Sequence, residues 1–328
     1  MSAPSATVTM TGPDVIPLAF ALAAAHEGGV LTALAEGPAD ATALARALGL
    51  DARALPLVLE LLVRFELLER RADQRFALAP LLRDAGAVTP GGFAVERRLW
   101  SRLRGFLADG VPVTELDAGQ ESRAPFYAGV VAALGAMWAA PADRLAARLA
   151  GHGPRVLDVG CGSGVWSLAL AAAGPGASVT GVDLETVLPA FLDRAAALGL
   201  RDRVRALAGD AHRLALDGSD FDVALIANVL RLEDPERAAA LLARVARAVR
   251  PGGQLVVVDA LAEGSTIADR NRAIYALHLG MRTRVGRVHA PATIAGWMQA
   301  AGLERVETLE LGAGVPGAVA ALRAWRPA

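Results

Sequence analysis

The run Arg155 to Gly164, RVLDVGCGSG, constrains this chain more than any other stretch. Four apolar-rich residues make a buried strand, three alternating glycines force a tight turn, and Val165-Trp166-Ser167 opens a helix. Glycines at 160, 162 and 164 let the backbone come close to a ligand and aim it at the amino end of that helix. The dinucleotide pattern GxGxxG requires glycine at position 165, where the chain has Val165, so the spacing is GxGxG. Read alone, the turn is equally a plain strand-to-helix connection.

The elements after it add weight. The next strand ends at Asp183, within GVDLE, where a carboxylate can accept both hydroxyls of a ribose. The third ends in Gly209-Asp210-Ala211-His212, which places Asp210 where an adenine amine can donate to it. Singly, each acid is as well explained as a solvated loop residue or a helix cap; three sites at the ends of successive strands read together as a nucleoside pocket. From Arg155 onward the chain alternates β and α segments, the sign of a parallel sheet covered on both faces. The strand candidates are 156–159, 179–182, 204–207, 223–227, 254–258, 306–311 and 318–324.

The amino-terminal part reads differently. One helix is expected from Asp14 to the region of Leu34, a second over Ala41 to Leu48 and a third from Ala52 to about Phe65. Two short strands follow, Leu67 to Glu69 and Phe76 to Leu78, around the turn Ala72-Asp73-Gln74. This is a winged-helix pattern, which suits a transcription regulator as well as an accessory domain. The third helix carries LPLVLELLVRF, without the exposed Arg and Asn of a base-reading helix, and this disfavours DNA binding. Residues 86–150 look helical, broken at Pro90-Gly91-Gly92 and Asp109-Gly110, and are expected to link the domains and roof a pocket.

Composition excludes several classes. The formal charge is -1, acidic and basic residues are interspersed, and all 33 basic residues are Arg; no basic stripe marks a nucleic-acid partner. Cys161 is the single cysteine, which rules out an intrachain disulfide. The first apolar run, Val15 to Ala25, is interrupted by Pro17 and reads as neither signal peptide nor membrane span. A cytoplasmic protein with no membrane partner is expected. The five histidines show no metal-ligand spacing and no carboxylates cluster for magnesium, so no metal is expected.

With these residues in view, the chain resembles the plant-type and bacterial small-molecule O-methyltransferases over nearly its whole length. The later landmarks FDVALIANVL, RPGGQLVVVDA and a helix ending in AGL also match. The resemblance implies an α/β fold: a Rossmann-like seven-stranded class I methyltransferase domain (151–328), an α-helical winged-helix dimerisation domain (1–85) and a helical linker (86–150). It implies an intertwined homodimer, a small-molecule acceptor of aromatic or polyketide-like type, and S-adenosylmethionine as methyl donor, released as S-adenosylhomocysteine. Asp158, Gly160, Gly162 and Gly164 would hold the methionine end, Asp183 with Leu184 the ribose, and Asp210 with Ala211 the adenine. Asn228, ending the fourth strand, is counted with them, with a substrate contact or loop cap as other readings.

Two departures matter. The family's VLHDW carries the basic His; here the segment is Val229-Leu230-Arg231-Leu232-Glu233-Asp234, and Arg231 stands in its place. A guanidinium stays protonated and cannot act as a general base. The glutamate of the family's GRERT falls at Val288, whereas the acid ending the fifth strand survives as Asp259, where it can pair with Arg231. Three readings stay open: Arg231 holds an acceptor that is already anionic; His278 or His289 substitutes as base; or the reaction becomes C- or N-methylation, or a non-methylating use of the sulfonium. A non-catalytic winged-helix regulator is the remaining alternative. Tyr275 and Met281 are expected to line the acceptor site.

Overall fold

The computed structural model describes residues 12–84, 99–116, 131, 135, 137–149, 154–214, 216, 218, 220–264, 266–312 and 319–328. The chain divides into two compact units, Met1–Arg102 and Leu103–Ala328.

The first unit holds α1 (Gly12–Glu27), α2 (Val30–Glu36), α3 (Ala41–Leu48), α4 (Ala54–Arg64), β1 (Leu68–Arg70), β2 (Phe76–Leu78) and α5 (Pro80–Asp84). Caps set the helix starts: the Asp40 carboxylate accepts from Ala43 N–H at 2.8 Å, and Asp51 accepts from Ala54 N–H at 2.8 Å. In α4, Leu55, Leu59 and Leu62 recur at helical spacing and are buried with Leu31, Leu44, Leu68 and Phe76. The strands form an antiparallel hairpin, Leu68 opposite Leu78, and Ala39 bridges to Phe76. The single first helix expected from Asp14 to Leu34 is in fact two, bent by 65° at the intervening break. Gly29 takes φ 75° there, a left-handed conformation that ends one helix and starts the next. The sequence signal, Gly28-Gly29, was masked by continuous apolar periodicity on either side.

The second unit contains α6 (Leu103–Asp109), α7 (Ala139–Leu149), β3 (Arg155–Val159), α8 (Val165–Ala173), β4 (Ser178–Asp183), α9 (Leu188–Ala197), β5 (Val204–Ala208), β6 (Phe221–Ala227), α10 (Pro235–Ala248), β7 (Val249–Asp259), α11 (Thr266–Gly280), α12 (Pro291–Ala300), β8 (Glu304–Leu309) and β9 (Ala320–Trp325). The seven strands are ordered β5-β4-β3-β6-β7-β9-β8. The first five are parallel; β9 is antiparallel to β7 and β8 to β9. In the last hairpin β8 starts and ends earlier than its apolar run suggests and β9 starts and ends later, and Arg305, at φ 55°, lies where the register shifts.

Strand alternation builds two cores. Val156, Leu225, Val256 and Val258 face one side with Leu145, Leu168 and Phe191, while Leu157, Val159, Ile226, Leu255 and Val257 face the other with Leu241, Val245, Ile294 and Met298. Each such side chain contributes about 1.5–3 kcal/mol by leaving water, so the sheet forms a rigid floor. Strand order reverses between β3 and β6, and ligands of open α/β sheets bind at the carboxyl ends of the strands at such a reversal. Among the described residues, no single helix is long and apolar enough to cross a membrane.

Candidate active site

The turn after β3 adopts the geometry its glycines allow. Gly160, Gly162 and Gly164 have φ of 72°, 55° and 70°. A Cβ at Gly160 would stand 2.4 Å from Val229 Cγ2, and one at Gly164 would stand 2.4 Å from the Phe191 ring. Glycine is therefore required both by backbone conformation and by packing. Cys161, between them, is buried, and burial pushes its thiol well above the ordinary range; it stays protonated and inert.

Asp183 fastens this turn. Its Oδ2 accepts from Gly162 N–H at 2.7 Å and its Oδ1 from Leu184 N–H at 2.7 Å. Through these two bonds the carboxylate orients the loop. Gly209 N–H donates to the Asp183 carbonyl at 3.0 Å, which ties the ends of β4 and β5 and brings Asp210 alongside. Asp210 Oδ1 accepts from His212 N–H at 2.9 Å, fixing the turn that contains Ala211.

Asp158 is buried, and its Oδ2 accepts from the Ser167 hydroxyl at 2.5 Å. Burial pushes its carboxyl up to about 7; the Ser167 hydrogen bond opposes the shift and the Asp183 charge reinforces it. Ser167 was missed at the sequence level, although it is the one hydroxyl in the otherwise apolar helix VWSLALAAA.

Across the reversal, Asn228 follows β6 at φ 61°, its N–H donating to Val258 O at 2.7 Å. A single turn of 3₁₀ helix, Leu230–Leu232, then presents Arg231. The Arg231 Nη1 lies 3.4 Å from Asp259 Oδ1, and the guanidinium carbon stands 4.7 Å from the centre of the Tyr275 ring. Asp259 Oδ1 also accepts from Ala260 N–H at 2.8 Å. His278 lies on α11 with its ring centre 6.1 Å from that of Tyr275. Arg231 thus neighbours Asp259 and Tyr275, and His278 neighbours Tyr275.

Met281 and His289 lie behind this group. Met281 is fully buried, and its carbonyl accepts from Val113 N–H at 2.7 Å. His289 is buried, with Nε2 3.0 Å from the Leu230 carbonyl and its ring edge-on to Trp297 at 4.9 Å. Arg287 N–H donates to the Arg231 carbonyl at 2.8 Å, and a Cβ at Gly286 would stand 2.9 Å from that same oxygen. Segment 286–289 therefore clamps the turn that carries Arg231.

Three buried side-chain oxygens at these strand ends take no hydrogen bond: Asp158 Oδ1, Asn228 Oδ1 and Asp259 Oδ2. Asp158 is the last residue but one of β3, Asn228 follows β6 and Asp259 ends β7, and these three strands are neighbours in the sheet. Buried acceptors are normally paired, so unpaired ones at neighbouring strand ends are suited to ligands that bring donors or positive charge. Among the described residues no three His, Cys, Asp or Glu side chains are grouped to hold a metal ion.

A family model described as a methyltransferase domain matches residues 156–253. The chain is 28% identical over 323 residues to a 3-hydroxy-5-methyl-1-naphthoate 3-O-methyltransferase of Streptomyces sahachiroi, covering 92% of this chain and 91% of that one. Its fold is similar to that of a mitomycin 7-O-methyltransferase, with TM-score 0.70 and 25% identity, covering 96% of this chain and 95% of the other. It also matches the fold of human N-acetylserotonin methyltransferase crystallised with its cofactor, at TM-score 0.70, 19% identity, and 98% and 100% coverage. Fold and glycine loop together define a class I S-adenosylmethionine-dependent methyltransferase domain, and over nearly its whole length the chain is similar to small-molecule O-methyltransferases.

The residues present fit that cofactor. S-adenosylmethionine carries a sulfonium and an ammonium, and the loop supplies the unpaired Asp158 and Asn228 oxygens with the Asp183 and Asp210 carboxylates at neighbouring strand ends.

Proposed function

We propose that the chain methylates an oxygen of a small aromatic or polyketide-like molecule that binds in its anionic form, with Arg231 as the group that holds the acceptor. The bound cofactor supplies an electrophilic methyl group on a positively charged sulfur. Asp158, Gly160, Gly162, Gly164 and Asn228 hold its amino-acid end, Asp183 and Leu184 its ribose, and Asp210 and Ala211 its adenine. The observation that carries the acceptor reading is the guanidinium of Arg231, mostly buried, backed by Tyr275 and held 3.4 Å from Asp259. A cation fixed on two sides aligns an oxyanion without needing to remove its proton, and positioning supplies much of the acceleration in an in-line displacement.

The test is methyl transfer to an acidic phenol, followed across pH in the wild type and in Arg231→Ala. The expected result is a loss of about tenfold or more in kcat/KM for the variant, equal to about 1.4 kcal/mol. Full activity in Arg231→Ala would overturn the assignment. A second reading makes His278 the base, because its ring lies beside Tyr275; it requires an acidic limb in the pH profile that vanishes in His278→Ala. On this reading of the site His289 and Met281 act through packing, holding the Arg231 turn and the segment below it.

The amino-terminal unit is assigned as the dimerisation domain (1–85), residues 86–150 as the linker and pocket roof, and 151–328 as the methyltransferase domain. Exposed Ile16 and Phe20 on α1 and Leu57 on α4 support a homodimer through this unit. Phe20→Glu is expected to shift the particle from dimer to monomer in light scattering. A cytoplasmic location agrees with one unpaired cysteine and a small-molecule acceptor.

A further inference from the structure

The unpaired oxygens divide by position. Asp158 is the last residue but one of β3, from which the glycine loop springs, and Asn228 leads straight into Val229, which packs on Gly160. Asp259 ends β7, one strand further from the loop, and the cofactor reading leaves it without a task. Its Oδ1 is occupied by Ala260 N–H and faces Arg231, while its Oδ2 is buried and accepts nothing.

The acceptor end of the site therefore offers two opposite senses side by side. Arg231 has N–H donors and a positive charge; the second oxygen of Asp259, Oδ2, has only lone pairs and a negative charge. An acceptor with one isolated oxyanion answers Arg231 but leaves Asp259 Oδ2 unpaired, and it sets a second negative charge against that carboxylate. An acceptor with a hydroxyl next to its oxyanion answers both. The Tyr275 ring, its centre 4.7 Å from the guanidinium carbon, backs the Arg231 member of the pair.

Building on the reading of Arg231 as the acceptor-holding group, we propose that the methyl acceptor is the monoanion of a planar molecule with two vicinal oxygens. Its ionised oxygen lies against Arg231 and its neighbouring hydroxyl donates to Asp259 Oδ2, as in an ortho-diphenol or a hydroxylated enol. During transfer a lone pair of the ionised oxygen forms the new carbon–oxygen bond. The carbon–sulfur bond breaks with its electrons staying on sulfur, which becomes a neutral thioether. The vicinal hydroxyl keeps its proton throughout, so Asp259 selects and orients the acceptor and takes no proton. The product has lost the charge that Arg231 held, which favours release.

The experiment compares three naphthalene acceptors with the full chain and S-adenosylmethionine, at a pH where one hydroxyl is ionised. One has vicinal hydroxyls, one has its hydroxyls a carbon further apart, and one has a methoxy group beside a single hydroxyl. The wild type is expected to favour the vicinal diol by about tenfold or more in kcat/KM, the worth of one charge-assisted hydrogen bond. Asp259→Asn, whose amide can donate to a methoxy oxygen, is expected to reduce that preference about tenfold while S-adenosylhomocysteine binding by calorimetry is kept. Equal rates on the three acceptors in the wild type overturn the proposal, as does an unchanged preference in Asp259→Asn. Should that variant fail to bind S-adenosylhomocysteine, the wild-type panel decides alone. Transfer to the separated diol with a strong Arg231→Ala defect overturns the vicinal pair and leaves the Arg231 reading standing. Absence of transfer to all three overturns both.

Discussion

The two ends of the site are built by different means. Around β3, β4 and β5 the carboxylates are held by backbone N–H groups close in sequence or in the next strand: Asp183 by Gly162 and Leu184, Asp210 by His212. Around β6 and β7 the charged groups hold one another, with Arg231 between Asp259 and Tyr275 and its turn clamped by Gly286, Arg287 and His289. A backbone cage is set once the fold forms, and it suits a cofactor that does not vary. A lattice of side chains changes with each residue in it, and it suits the half of the site that must match a particular acceptor. Binding of cofactor and binding of acceptor should therefore separate under mutation.

The largest effect is expected on the caged side. Asp183→Ala removes the partner of two backbone donors as well as the proposed ribose contact, and S-adenosylhomocysteine affinity by calorimetry should fall about a hundredfold, near 3 kcal/mol. An affinity within a few-fold of wild type would show that the cage is not what holds the ligand. Next comes the clamp. Gly286→Ala forces a Cβ to 2.9 Å from the Arg231 carbonyl, and overpacking of this kind costs about 1–3 kcal/mol; kcat/KM should drop about tenfold while cofactor affinity stays within about twofold. A matching loss in cofactor affinity would show that the two ends are one structure.

Asp158 gives a smaller effect, read as pH dependence. Its folded value of about 7 lies above its ordinary 3.8, so the native state holds a proton that the unfolded chain releases. The stability this brings is complete below about pH 4 and is lost as pH rises through about 7. Thermal melting of the ligand-free protein should therefore fall between about pH 5 and pH 8, and Asp158→Asn should flatten that slope by roughly 2–4 °C. An equal slope in both proteins would assign the dependence elsewhere. The smallest effect is at the edge of the lattice: Tyr275→Leu removes the ring behind Arg231 and should cost about 0.5–1 kcal/mol in acceptor kcat/KM, with Tyr275→Phe close to wild type.

How much was readable beforehand follows the same division. The strand-turn-helix, the acids at 183 and 210 and the succession of strands and helices along the chain were legible, because each depends on neighbours within a few residues. Ser167 and the break at Gly28-Gly29 escaped, the first as a lone hydroxyl in an apolar helix and the second under unbroken periodicity. The roles of His289 and Met281 were open, since sequence spacing alone allows either side chain to face a pocket or to pack behind it.

The sequence by itself determined an alternating β/α domain with a glycine loop, the carboxylates flanking it, and the absence of a basic His at the end of the fourth strand of that domain. Only the tertiary structure decided that Arg231 is pinned between Asp259 and Tyr275, that His289 faces the Leu230 carbonyl, and that buried oxygens of Asp158, Asn228 and Asp259 lack donors. The physical reason is range. Turns and strands follow from steric preferences within a few residues, whereas the pairing of charges depends on which strand ends the sheet sets side by side.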